Sequence, residues 1–238
     1  MEIKKWIFIG LIFCISIGVS GYFVMLCSKG KGEKKMKQFS ESTVVLPKVL
    51  LQGKTSIEQA VNQRRSVRDY KNDALSLQQI SQLLWAAQGV TSSQGLRAAP
   101  SAGALYPLEV YLVAGNVHDL EAGVYKYLIG DHVLKKIETG DKRASLCSAA
   151  LSQDSVKQAA ACFVLCAVYS RTKVKYGPRG HQYVHMEIGA VAENVYLQAG
   201  ALGIGTVFVG AFEDSGVQGV IGALKDEVPL CILPLGKM

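Results

Sequence analysis

Apolar positions in this chain form one unbroken run and then a series of shorter periodic ones. From Trp6 to Leu26 twenty-one consecutive residues carry no charge. That is the length a helix needs to cross a hydrocarbon core, and Trp6 and Tyr22 lie near its two ends. We therefore expect a single-pass transmembrane anchor over residues 6–26. A cleaved secretory signal is the alternative, with Val19-Ser20-Gly21 as a weak cleavage site. The run continues past it to Leu26, which favours the anchor. Lys29, Lys31, Lys34, Lys35 and Lys37 follow the run and outweigh Lys4 and Lys5 before it. This favours a cytoplasmic domain, against the N-terminal-in habit of signal anchors.

Beyond residue 55 the pattern becomes periodic. Ser56 caps a short helical stretch with apolar positions at 57, 60 and 61. Ser76 caps a second, with Leu77, Ile80, Leu83, Leu84 and Ala87 on one face and Gly89 as its stop. Leu108–Ala114 reads as a strand. Val124–Tyr127 and Val133–Ile137 flank Gly130-Asp131 as a hairpin. Ala160–Tyr169 reads as a buried strand and Met186–Leu202 as a central helix stopped by Gly203-Ile204-Gly205. Thr206–Val209 and Leu230–Leu235 read as strands with a helix over 215–224 between them. Helices and strands mix without regular βαβ repeats. The fold class is α+β, with a mixed or mainly antiparallel sheet flanked by helices. The chain divides into an anchor or signal segment (1–27), a tether and lead-in (28–55) and one domain (56–238).

Composition narrows the function classes. The chain has 238 residues, 49% hydrophobic and 19% charged, with a formal net charge of +7. Part of that charge sits beside the N-terminal run, so the domain is only mildly basic. Nucleic acid is not indicated, and an anionic cofactor or substrate accounts for the balance equally well. None of the six cysteines forms a CxxC pair. Cys162 and Cys166 read as buried free thiols. His181 and His185 have i, i+4 spacing but Glu187 falls off their face, so no metal site is expected.

Three stretches carry candidate chemistry. Arg64, Arg65, Ser66 and Arg68 place three planar cations and a hydroxyl within five residues, a donor set suited to phosphate. Pro100, Ser101, Ala102, Gly103 and Ala104 form a small-residue loop that leaves room for a flat ring against the backbone. The glycines of 203–212 either end the helix or let strand backbone lie against a ligand. Tyr106, Tyr176 and Tyr183 are candidate proton donors or stacking residues.

RRSVR, PSAGALYPLEVYLV, HMEIGAVAENVYLQAGALGIGTVFVGAF and the closing PLGK together resemble the nitroreductase superfamily, and within it the SagB-like dehydrogenases that oxidise azolines in peptides. The resemblance covers residues 56–238. It implies a homodimer that binds FMN where the two subunits meet. Arg64, Arg65, Ser66 and Arg68 would then hold the phosphate, ribityl chain and N1–O2 edge of the ring. Pro100 to Ala104 would border the ring, Val209 and Gly210 would lie near its N5 side, and Lys237 would reach the phosphate. The flavin would carry the redox chemistry, so no side chain is expected to be catalytic.

The implied activity is hydride transfer through flavin N5, from NAD(P)H to a nitroaromatic, quinone or other conjugated acceptor. Two alternatives stand beside it: a peptide azoline dehydrogenase and a non-catalytic, membrane-tethered flavin-binding module. The N-terminal apolar run is no part of the family pattern, and the basic residue expected beyond Lys237 is missing.

Overall fold

The computed structural model describes residues 42–238. The apolar run at 6–26 lies outside them. Among the described residues no helix is long and apolar enough to cross a membrane.

A seven-stranded sheet, antiparallel at every pairing, forms the core. Its strands are β1 (Thr43–Val45), β3 (Leu108–Ala114), β5 (Gly123–Leu128), β6 (Val133–Thr139), β7 (Ala161–Ala167), β8 (Ile204–Thr206) and β9 (Val228–Lys237), in the order β1-β6-β5-β3-β7-β9-β8. β2 (Leu75–Ser76) and β4 (Val117–His118) form a separate parallel pair. β7 lies between β3 and β9, and every one of its residues is buried. Its alternate side chains feed two cores. Phe163 and Leu165 face one, with residues of α2 (Leu77–Gln88) and α6 (Gly180–Ala201). Cys162, Val164 and Cys166 face the other, with α3 (Arg143–Ala149), α4 (Asp154–Gln158) and α7 (Asp214–Ile221). A sheet covered on both faces needs strands apolar at successive positions, which is how β7 reads.

The helix starts follow from their caps. α1 (Ile57–Gln63) and α2 each open with a reciprocal serine–glutamine box. In α1 the Gln59 N–H donates to Ser56 Oγ at 3.2 Å, and the Ser56 N–H donates to Gln59 Oε1 at 3.1 Å. α6 starts six residues ahead of the expected Met186, because its first turns are polar and show no apolar period. Gly180 lets that start pack on α5 (Tyr169–Tyr176), since a Cβ there would lie 3.1 Å from the Lys173 backbone nitrogen.

Two strand expectations need correction. The strand expected to run to Tyr169 ends at Ala167, and α5 takes over. The strand expected over 206–209 is instead Ile204–Thr206, with Val209 rejoining as a single bridge to Ile232. The ladder breaks because Pro234, next in register to Val207, has no N–H to donate. The Phe208 N–H goes to Tyr196 Oη instead, at 2.7 Å. The lead-in is also more ordered than a tether from Thr43 on. β1 extends the sheet beside β6, and Gln82 clamps Leu50 through both backbone groups at 2.8 and 3.0 Å.

Candidate flavin site

The arginine stretch lies along the β8–β9 edge. The Val67 N–H donates to the Thr206 carbonyl and the Lys71 N–H to the Lys237 carbonyl, both at 2.9 Å. Two glycines make this approach possible. A Cβ on Gly205 would lie 2.7 Å from Val67 Cγ1, and one on Gly236 would lie 2.5 Å from the Tyr70 side chain. The glycines of GIGT and PLGK therefore seat the arginine segment. The same packing brings Lys237 to the edge that carries Arg64, Arg65, Ser66 and Arg68.

Tyr196, on α6, locks this segment, and sequence reasoning does not single it out. Its hydroxyl accepts the Phe208 N–H and lies 3.1 Å from Ser66 Oγ, and its ring sits 5.2 Å below the Arg64 guanidinium. Its only sequence signal is an aromatic within the aliphatic face Val195–Leu197. Arg65 donates to the Asn62 and Arg64 carbonyls. Among the described residues, Arg64, Arg65, Arg68 and Lys237 form no ion pair with a carboxylate. Asp69 is the carboxylate of this segment and is in no ion pair with them, and cations left free in this way fit an anion such as a phosphate.

The second element, Pro100 to Ala104, turns tightly. Gly103, Ala104 and Tyr106 have φ of 63°, 53° and 47°. The two non-glycine residues there cost on the order of 1–3 kcal/mol each. Ser101 offsets part of this: its Oγ accepts the Tyr106 N–H at 2.9 Å and its carbonyl accepts the Ala104 N–H at 3.0 Å. Arg97 stacks 4.3 Å from the Tyr106 ring centre and Arg171 donates to the Tyr106 carbonyl at 3.1 Å. Gly103 is exposed, and a Cβ there would lie 2.9 Å from Tyr176 Oη and 3.1 Å from Lys175 Nζ. A phenol and an amine from the end of α5 thus meet the loop. Tyr176 is a candidate from sequence and Lys175 is not.

Beneath the loop, Glu187 is buried and its carboxyl is pushed up by burial. Hydrogen bonding with Ser101 and Gln88 and the charge of Arg97 oppose that shift. Glu187 is turned away from the two histidines. His185 pairs instead with Tyr169 Oη at 2.6 Å, and His181 packs on the Tyr169 ring. Burial also pushes the Cys162, Cys166 and Cys231 thiols up, which suits packing and not nucleophilic chemistry.

Val209 and Gly210 separate in role. The Val209 N–H is spent on the Ile232 carbonyl at 2.9 Å and the residue is buried, so its amide cannot face a ligand. Gly210 is exposed, and a Cβ there would meet only the Phe208 ring, at 3.4 Å. Of the pair, Gly210 presents backbone.

The arginine edge and the small-residue loop do not converge in one chain. Tyr196, which marks the first, and Glu187, which marks the second, are nine residues apart on α6. That is about 14 Å along the axis and about half a turn around it, so the two lie on opposite faces. A groove of 690 Å³ lies between the lead-in, α1, α2 and α6. It is lined by Leu50, Leu51, Ile57, Trp85 and Leu197 among others, and by none of the residues expected to bind the cofactor.

An antiparallel sheet covered by helices on both faces, with an arginine segment seated on its β8–β9 edge and a tight small-residue loop, defines an α+β protein. The chain belongs to the nitroreductase family, whose sequence pattern matches residues 61–237. Several relatives carry the name "putative nitroreductase", two of them as follows. One, from Methanocaldococcus jannaschii, is 44% identical over 181 residues, covering 76% of this chain and 90% of its own. The other, a crystal structure from Ralstonia eutropha, is 29% identical with a TM-score of 0.73, over 83% of this chain and 90% of that one. The microcin B17-processing protein McbC of Escherichia coli is 32% identical over 122 residues, 49% of this chain and 44% of McbC.

Proposed function

We propose that this chain is an FMN-dependent oxidoreductase that passes a hydride from NAD(P)H to a nitroaromatic, a quinone or another conjugated acceptor. The observation that carries this reading is the grouping of Arg64, Arg65, Arg68 and Lys237 on one edge with no carboxylate partner among the described residues. These residues would hold the phosphate and the polar edge of the ring. Ser66, set by Tyr196, would add a hydroxyl. Pro100, Ser101, Ala102, Gly103 and Ala104 would border the ring plane, and Gly210 would offer backbone on its far side. When bound, the flavin supplies the hydride-transfer chemistry through its N5 atom. Lys175 and Tyr176 stand beside Gly103 as groups able to hold or give a proton to a substrate.

Because the two halves of the site lie on opposite faces of α6, one flavin contacts both only if a second copy contributes one of them. The exposed Leu50, Leu51 and Ile57 around the groove support such a homodimer. The apolar run at 6–26 supports a membrane tether, testable by cell fractionation.

Purified full-length protein should absorb in the flavin range and release FMN on heating. A colourless protein that takes up no added FMN would overturn the reading. A second reading, azoline oxidation in a peptide, draws support from the likeness to McbC. The two separate on substrates: NAD(P)H oxidation with small acceptors for the first, and oxidation of an azoline-bearing peptide without NAD(P)H for the second.

A further inference from the structure

Tyr106 keeps its left-handed conformation through bonds from several sides. Its N–H donates to Ser101 Oγ at 2.9 Å and its hydroxyl accepts the Arg97 N–H at 3.1 Å, both within one stretch of chain. Its carbonyl is held from another element, because Arg171 of α5 donates to it through Nη1 at 3.1 Å. The other arm of that guanidinium, Nη2, donates to Glu109 Oε1 at 2.5 Å. Strained turns persist only where the surroundings over-determine them, and Arg171 adds α5 to the surroundings of this one.

An exposed ion pair alone would give little hold, and the Arg171 side chain is 41% exposed. Glu109, at 12%, is fixed from beneath. Its Oε2 lies 3.3 Å from Lys126 Nζ on β5, and Lys126 also pairs with Glu227, whose side chain is 2% exposed. Glu227 in turn accepts the Tyr111 hydroxyl, and the Leu224 N–H at 3.0 Å. Carboxylates and cations alternate along this line, so each buried charge meets its opposite. The line runs from the residue before β9, through β5 and β3, to the Tyr106 carbonyl at the end of the small-residue loop.

We propose that Arg171, aimed by Glu109, is a positioning residue of the site: it ties the small-residue loop to α5 and so sets where Lys175 and Tyr176 stand relative to Gly103. Arg171 and Lys175 are four residues apart on α5 and share one of its faces. The first reaches the Tyr106 carbonyl, and the second comes within 3.1 Å of where a Gly103 Cβ would lie. One helix face thus carries both the tie and a group that it places. The inference rests on the flavin reading of this loop. With the tie cut, Ala104 and Tyr106 are free to leave their positive φ, and the border of the ring moves away from the groups on α5.

The test uses the full-length protein and two variants. Arg171→Met removes both donors and keeps a long side chain. Glu109→Gln leaves Arg171 in place and removes the charge that aims it. With flavin stripped, amide hydrogen exchange at Ala104 and Tyr106 should quicken by about tenfold or more in R171M and by less in E109Q, while the β3 amides keep their wild-type rates. With saturating FMN, the visible band of the bound flavin should shift in R171M, which a loss of stability alone would not produce. Unchanged exchange at Ala104 and Tyr106, exchange that rises equally in β3, or superimposable flavin bands in wild type and R171M would each overturn the proposal. If R171M does not fold, E109Q decides by the same two measurements. Failure of the flavin reading looks different: the wild type takes up no FMN, while the exchange rates still show whether Arg171 holds the loop.

Discussion

Arg64, Arg65 and Arg68 sit within five residues but keep different freedom. Arg64 lies on the Tyr196 ring, Arg65 is tied to two backbone carbonyls, and Arg68 is exposed and forms no ion pair among the described residues. Charge-assisted bonds of about 1.5–3 kcal/mol are at stake at each cation. Arg65→Ala and Arg68→Ala should each weaken FMN retention by about ten- to a hundredfold, read as a dissociation constant by flavin fluorescence. Equal flavin occupancy in wild type and both variants would remove the roles given to them.

Tyr196→Phe leaves the Phe208 N–H without its acceptor. It should lower stability by about 1–3 kcal/mol, measured by denaturant unfolding, and loosen Ser66 as well. The same scale carries a pH dependence. Burial raises the Glu187 pKa above its ordinary 4.5, so its favourable contribution is complete below that value and is lost as pH rises through the folded-state pKa. The stability of wild type relative to E187Q should therefore fall as pH rises above about 4.5. A difference that stays flat, or grows with pH, would contradict the burial assigned to Glu187.

At the scale of elements, the arginine segment is held by close backbone approach. Gly205→Ala, in β8, would push a methyl into Val67 of the arginine segment, and such overpacking costs about 1–3 kcal/mol. The variant should melt lower and hold FMN less tightly, although residue 205 is placed against no ligand. An unchanged melting temperature and affinity would show that the segment is seated some other way.

Legibility in the sequence follows the strength of local signals. The serine caps of α1 and α2, the β-rich run of β3 and the turn between β5 and β6 are written in neighbouring residues, and each stands where its pattern puts it. The short helices α3, α4 and α5 escape such a reading because none of them opens on a capping side chain as α1 and α2 do. The break after β8 escapes it because it depends on Pro234, which is remote in sequence and meets β8 only across the sheet. The arginines and the small-residue loop are visible as composition. Tyr196 and Lys175 acquire their roles only from what they meet in space. Glu187 stands out in sequence beside two histidines, whereas its partners lie on other elements.

For the whole molecule, the opposite placement of the two half-sites on α6 is the decisive constraint. On the proposed flavin reading, a single chain would present cations to a phosphate or a loop to a ring, and a two-fold pair of chains would present both to one flavin. The most direct measurement is a mixing experiment with two full-length variants. Arg68→Ala damages the cationic edge, and Ala102→Trp fills the space left for the ring. Each variant alone should hold little FMN. After subunit exchange about half of the dimers should be mixed, and each of those carries one intact site and one doubly damaged site. Bound flavin should then recover to about a quarter of the wild-type level, measured by absorbance after gel filtration. No recovery, with exchange itself verified, would mean that both halves serve a flavin within one chain or none at all.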